Sequence, residues 1–169
     1  GVDIGTSSAK GAAFDRGGRC LASMEIAYRY DAPCPGWAEA DAEVWWQAAR
    51  SILASLVDTI GAGAVEAVGV TGQAPTLLLI DGAGRPLRPA ILWLDVRSEK
   101  AVEGVAARVG SEAEGASGNR LHAYYLGPKL AWLRQHEPSR FLEGVSVLQS
   151  HSYPVLRLTG ARVTDYSSA

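Results

Sequence analysis

Cysteine is scarce, with Cys20 and Cys34 the two examples in 169 residues. Two thiols without C-x-x-C spacing cannot build a disulfide framework or a zinc site, and both are expected to be reduced. Histidine is also rare. His122, His136 and His151 lack metal-ligand spacing, so each is expected to be structural or at the surface. Apolar runs such as residues 77–80 fall far short of the roughly 18–20 residues that span a bilayer. The N-terminus lacks the charged start and apolar stretch of a secretory signal, so a cytoplasmic protein without membrane contact is expected. Neither charge dominates: 16 Lys and Arg face 18 Asp and Glu, for a formal net charge of -2. Without a basic cluster, nucleic acids and anionic membranes are poor partners, which leaves small molecules or proteins. Repeats, low-complexity tracts, the Walker A loop, the dinucleotide fingerprint G-x-G-x-x-G and the G-x-S-x-G elbow are all absent.

What remains is ordinary globular material, 47% hydrophobic and 20% charged, in a length that suits one domain. Residues 2–4, 11–14 and 21–30 read as strands separated by Gly-rich turns at 5–8 and 15–18, and turns this short force an antiparallel meander. Residues 31–41, with Pro33, Pro35 and Gly36, are expected to be irregular. A helix capped by Asp41 should run to Gly61, burying Val44, Trp45, Ala48, Ala49, Ile52, Leu53, Leu56 and Ile60. The β-rich segment 65–71 then returns as a crossover strand beside the first. Segments 77–80 and 89–94 flank the turn Asp81-Gly82-Ala83-Gly84 as a hairpin. Helix is expected over 95–109, loop over 110–119, then helices from Pro128 to about His136 and from near Pro154 to Gly160.

Three segments can carry chemistry. The first strand ends in Asp3-Ile4-Gly5-Thr6-Ser7-Ser8, followed by Lys10. An acidic residue beside a turn rich in N–H and hydroxyl donors can hold phosphate oxygens and, through water, Mg²⁺; the same string can also be a plain polar hairpin turn. Gln73, in Gly69-Val70-Thr71-Gly72-Gln73, ends the crossover strand and should face the crevice of Asp3, unless it serves only as a loop amide bonded to its own backbone. Trp93-Leu94-Asp95-Val96-Arg97 offers an aromatic platform, a carboxylate and a guanidinium. Such groups suit a sugar, and equally suit a buried Trp beside an Asp95 helix cap paired with Arg97. Trp37, Trp45 and Trp46 are expected to pack rather than bind.

In order along the chain, these segments resemble the N-terminal domain of the FGGY carbohydrate kinases, the xylulokinase-like branch in particular. The series runs from Gly1-Val2-Asp3-Ile4-Gly5-Thr6-Ser7-Ser8-Ala9-Lys10 through Pro35-Gly36-Trp37-Ala38-Glu39-Ala40-Asp41, Trp45-Trp46, and Gly69 to Gln73. It continues with Asp81 to Trp93, Asp95, Arg97, Gly118-Asn119, Lys129-Leu130-Ala131-Trp132-Leu133, Glu137-Pro138, Leu158-Thr159-Gly160 and Thr164-Asp165-Tyr166-Ser167. The resemblance implies an α/β fold of the actin-like, ribonuclease-H-like ATPase type, a meander extended by parallel strands with flanking helices. It implies ATP and Mg²⁺ at Asp3, Gly5, Thr6, Ser7, Ser8 and Lys10, with Asp3 toward the metal. It also implies a sugar at or near Gln73, Trp93, Asp95 and Arg97. The activity implied is transfer of the γ-phosphoryl group to a sugar hydroxyl, of a ketopentose such as xylulose or a related sugar or polyol.

In the family the general-base Asp lies further along the first domain, which places it beyond Ala169, and the adenosine site lies mostly in a second lobe. Residues 1–169 are therefore expected to be a partial N-terminal domain, incomplete at its C-terminal end and inactive alone, and a homodimer is possible at full length. Two departures stand out. Gln73-Ala74-Pro75-Thr76 replaces the xylulokinase Gln-Met-His-Gly, and Ser150-His151-Ser152 replaces a Lys-Asp pair. They leave open a noncatalytic kinase-like binding or regulatory protein. A chaperone-like or filament ATPase of the same superfamily would share the Asp3 loop alone, and the Trp93–Arg97 segment speaks against it.

Overall fold

The computed structural model describes residues 1–166, apart from the side chains of residues 110, 111, 113, 114, 116 and 117. Ser167, the end of the string 164–167, lies outside the described residues. So does Ala169, the position beyond which the general-base Asp is expected. The strands are β1 (Val2–Ile4), β2 (Ser8–Phe14), β3 (Cys20–Ala27), β4 (Glu39–Ala40), β5 (Val70–Gly72), β6 (Leu78–Ile80), β7 (Ala90–Ile91) and β8 (Ser146–Leu148). The α-helices are α1 (Ala42–Ile60), α2 (Val102–Ser117), α3 (Leu126–His136), α4 (Pro138–Glu143) and α5 (Ser152–Thr159). Two compact units result. The first comprises Gly1–Tyr30, Ala40–Ala74 and the chain from Leu148 onward; the second comprises Asp31–Glu39 and Pro75–Val147.

The first unit is built on a four-stranded sheet of order β3-β2-β1-β5. The short turns make β1, β2 and β3 antiparallel neighbours, whereas α1 carries the chain back so that β5 lies parallel to β1, Asp3 opposite Thr71. Meander and crossover are thus as the residues predict, with altered bounds. The crossover strand is confined to Val70–Gly72, because β1 offers only three residues to pair with; Val65 and Val68 are left exposed. The third strand ends at Ala27 instead of Tyr30, and Tyr28 turns toward the β1–β2 loop.

The Asp41 carboxylate caps α1 by accepting the Glu43 N–H at 2.9 Å, and Gly61, at φ 84°, ends it. Ala42, Trp45, Ala48, Ala49, Ile52 and Leu56 form the buried stripe, while Val44, Leu53 and Ile60 lie at its margin, half-buried. That stripe packs on the sheet face carrying Val2, Ile4 and Ala9, all buried. At Gly11 the helix comes so close that an added Cβ would lie 2.2 Å from Ile52 Cγ2. Ile52 is wholly buried and β-branched, so it cannot swing aside. Gly11→Ala is accordingly expected to cost about 1–3 kcal/mol by overpacking, read as a lower urea midpoint at unchanged slope.

The second unit gathers around Leu77, Leu79, Ile91, Trp132 and Leu133. The segment predicted to be irregular, 31–41, contains an antiparallel bridge in which Asp31 and Glu39 exchange both backbone hydrogen bonds, at 2.7 and 2.8 Å. The predicted hairpin reduces to single bridges, Leu77 with Ile91 and Ile80 with Pro86, because Val145 N–H takes the Ile80 carbonyl and Leu92 N–H the Ala38 carbonyl. Its turn forms as expected: Asp81 accepts the N–H groups of Ala83 and Arg85. The helix expected over 95–109 starts only at Val102 and continues to Ser117, through the stretch read as loop. Asp95 does accept the Arg97 N–H as a cap would, but only a 3₁₀ turn over Glu99–Ala101 follows before α2 begins, and Gly110 and Gly115 are tolerated within the run. Helix α4 and strand β8, which carry weak patterns, were not anticipated. Helices α3 and α5 fall where Pro128 and Pro154 place them, the latter ending at Gly160 with φ 77°. Both cysteines are free and exposed, and among the described residues no helix is long and apolar enough to cross a membrane.

Candidate functional site

In the first unit the β1–β2 turn is held from two sides. The Gly5 carbonyl accepts the Tyr28 hydroxyl at 2.7 Å and the Gln73 side-chain amide at 3.2 Å, while Thr6 donates its hydroxyl to Gln73 Oε1 at 3.1 Å. Backbone bonds lock the frame: Gly5 N–H to the Ser8 carbonyl at 2.9 Å, Tyr28 N–H to the Ser7 carbonyl at 2.9 Å, and Gln73 N–H to the Ile4 carbonyl at 2.8 Å. Burial, and secondarily the charge of Asp3, push the Tyr28 hydroxyl far above its ordinary pKa, so it is a permanent donor here. Gln73 thus lies against the Asp3–Ser8 segment. It is held there from behind by Ser150, whose hydroxyl donates to the Gln73 carbonyl at 2.7 Å. The close approach demands glycine at 72, where a Cβ would stand 2.6 Å from Ser150 Oγ and 2.8 Å from the Ile4 carbonyl.

Asp3 itself points away from α1. It is exposed between buried Val2 and Ile4, and its cross-strand neighbours are Thr71 on one side and Lys10, then Glu25, on the other. Lys10 lies 3.8 Å from Glu25 in an exposed pair. This row crosses an open depression of about 720 Å³, also lined by Gly1, Ala12, Met24 and Gly69. Among the described residues no three His, Cys, Asp or Glu side chains gather as a metal site. One exposed carboxylate beside a turn of donors still fits Mg²⁺, which retains several waters and takes one or two carboxylates plus substrate phosphates.

In the second unit Trp93 is 45% exposed, whereas the side chains of Asp95 and Arg97 are wholly buried. Asp95 accepts the Ala38 N–H at 2.6 Å, the Arg97 N–H at 2.9 Å and a forked pair from the Arg97 guanidinium, Nη2 at 2.7 Å. The guanidinium centre sits 3.7 Å from the Trp37 ring centroid and 5.1 Å from that of Trp132, with Nη1 2.7 Å from Glu39. Arg88 in turn pairs with Glu39 and lies 3.5 Å from Glu137. The result is an interior network of alternating charge beside a pair of indoles that pack on each other. Of the residues read as sugar contacts in this unit, Trp93 presents surface and the Asp95–Arg97 pair braces the segment beneath it.

Of the tryptophans read as packing residues, Trp45 is fully buried and Trp37 packs edge-on against Trp132 at 5.4 Å. His136 bonds the Trp132 carbonyl and stacks on its ring, and His151 Nε2 meets Asp165 at 2.8 Å. Sequence reasoning overlooked Tyr28, Ser150 and Lys129 as parts of these sites. Lys129 left one signal, a lone cation inside the apolar run 126–133, and Ser150 stood out only as a departure from a Lys-Asp pair; Tyr28 left none, because only the tertiary fold brings it to the loop.

A family model for the N-terminal domain of the FGGY family of carbohydrate kinases matches residues 1–169. The chain is 36% identical to a xylulose kinase of Escherichia coli (strain K12) over 169 residues, all of this chain and 35% of that protein. It is 34% identical to a glycerol kinase of Nocardia farcinica (strain IFM 10152), over 99% of this chain and 35% of that one. The crystal structure of xylulose kinase from Rhodospirillum rubrum superposes with a TM-score of 0.90 at 36% identity, covering 98% of this chain and 34% of that one. The chain therefore spans about a third of the length of the curated relatives it matches, and its α/β fold is the actin-like, ribonuclease-H-like one expected.

Proposed function

From a chain that belongs to the FGGY family of carbohydrate kinases, we propose that the whole protein transfers the γ-phosphoryl group of ATP to a hydroxyl of a sugar or polyol. The acceptor we favour is a ketopentose such as xylulose, with the general-base Asp supplied from beyond Ala169. The observation that carries the reading is the clamped β1–β2 turn. Gln73 and Tyr28 hold the Gly5 carbonyl from two sides and the Thr6 hydroxyl is tied to Gln73, so the turn that follows Asp3 on β1 keeps its shape without reorganisation. Phosphoryl transfer draws most of its catalysis from such prior positioning and from charge stabilisation, since the protein contributes little covalent chemistry. In this reading Asp3 would hold the Mg²⁺ that accompanies ATP, the ion would supply neutralisation of phosphate charge, and Lys10 adds a cation in the neighbouring register. Trp93 offers its indole to the C–H face of the sugar, and the buried Asp95–Arg97 pair keeps that indole presented. Ala74 and Pro75, where xylulokinases carry Met-His, remove a hydrogen-bonding imidazole and so bear on which acceptor is chosen.

A coupled assay of ADP release by the full-length protein, run over ketoses, polyols and sugar acids, tests this. Sugar-dependent ADP release with one favoured class is expected. Absence of release with every acceptor refutes the kinase reading and favours a noncatalytic binding protein.

A further inference from the structure

Lys129 is an unfavourable residue to bury where it stands. Helix α3 carries it in the run Pro128-Lys129-Leu130-Ala131-Trp132-Leu133, and the whole side chain is buried. Taking an ammonium group out of water is strongly unfavourable unless protein groups replace its hydration, and an apolar side chain at the same site would avoid that cost. What the lysine supplies is donors. Nζ donates to the Leu92 carbonyl at 2.8 Å and reaches the Pro75 carbonyl at 3.4 Å.

Those two carbonyls sit at the approaches to the two segments read as sugar contacts. Pro75 follows Gln73 by two residues, and Leu92 immediately precedes Trp93. The Leu92 carbonyl also accepts the Asp95 N–H at 3.1 Å, and Leu92 N–H is anchored on the Ala38 carbonyl at 3.0 Å. Both polar groups of Leu92 are therefore committed, and Lys129 supports the turn that displays Trp93 from the helix side.

We propose that Lys129 is a positioning residue for acceptor recognition: its single buried head group ties the Pro75 and Leu92 carbonyls and so fixes the attitude of the Trp93 turn. The proposal rests on the reading of Trp93 as a sugar contact. Burial draws the lysine down to about pKa 8, opposed by the charge of Asp95 and reinforced by that of Arg97, so at neutral pH it is still mostly the ammonium with three donors.

The test uses the full-length protein and Lys129→Met, which keeps an unbranched side chain one atom shorter and removes the donors. With the acceptor found by the ADP-release screen, KM for the acceptor is expected to rise about tenfold to a hundredfold while KM for ATP stays within about twofold, the size of effect that follows from leaving buried carbonyls unpaired. A merely structural role would lower the active fraction or move both constants together, and either outcome overturns the proposal. Hydrogen exchange gives a second reading that needs no substrate. The Asp95 amide is expected to exchange at least about tenfold faster in Lys129→Met while the amides of β1–β3 keep their rates. Unchanged exchange at Asp95 overturns the proposal even if the kinase reading stands, whereas a wild-type protein without acceptor-dependent ADP release refutes the kinase reading and with it the role in recognition. Should the methionine variant fail to fold, Lys129→Gln, which keeps an amide donor on a shorter arm, is judged by the same two criteria.

Discussion

Arg97→Ala is expected to destabilise the second unit by about 3–5 kcal/mol, the cost of removing one partner from a buried ion pair. The size follows from what the deletion leaves behind. Asp95, wholly buried, would keep the Ala38 N–H and lose the forked guanidinium that neutralises it, and Glu39 would lose a cation 2.7 Å away. The Trp37 face would also lose the cation stacked upon it at 3.7 Å. Arg97→Lys is expected to recover only part of this, since a point ammonium cannot make the planar fork to Asp95. Equilibrium unfolding in urea, monitored by tryptophan fluorescence, measures the effect. The exposed Arg16–Glu66 pair is the internal control, expected to yield about 0–1 kcal/mol on Arg16→Ala. A loss for Arg97→Ala as small as that control would mean that the network is solvated and that the account of the Trp93 segment is wrong.

The second large effect is on catalysis. Asp3→Asn in the full-length protein is expected to lower acceptor-dependent turnover about a thousandfold, equivalent to about 4 kcal/mol of transition-state stabilisation. Asparagine keeps the size of the side chain and removes only its charge. Asp3 stands outward on β1 between buried neighbours, so the sheet has no reason to change. The melting temperature is therefore expected to move by no more than about 2 °C, as for an ordinary surface substitution. Steady-state ADP release at saturating acceptor and Mg·ATP reads the first quantity, and a thermal melt the second. Turnover within a few-fold of wild type would remove Asp3 from the metal and phosphate role. A collapsed melt would show instead that its carboxylate supports the sheet.

Much of the frame was legible because it is local. Asp41, the apolar stripe from Trp45 to Leu56, Gly61 and the tight turns around β1, β2 and β3 each constrain a few neighbouring residues. A capped amphipathic helix after a meander then leaves one right-handed way back to the sheet. The Gln73 placement followed from the same logic, since the residue just past β5 must emerge beside the end of β1. Where the reading erred, the deciding partner was distant in sequence. Asp95 takes the Arg97 N–H as a helix cap would, but its carboxylate also holds the Ala38 N–H, 57 residues away, and the Arg97 guanidinium, and the α-helix starts seven residues later than expected. Segments 77–80 and 89–94 suggest a hairpin until Val145 and Ala38 take the backbone groups that pairing would have used.

The amino-acid order by itself therefore determined the sheet, its crossover and the family, because short turns, caps and period are properties of adjacent residues. Only the tertiary structure decided what the charged side chains are for. Burial and charge pairing depend on residues tens of positions apart, so nothing near Arg97 in the chain announces that it stacks on the indole of Trp37. Likewise, nothing near Lys129 announces that its head group holds the carbonyl that precedes Trp93.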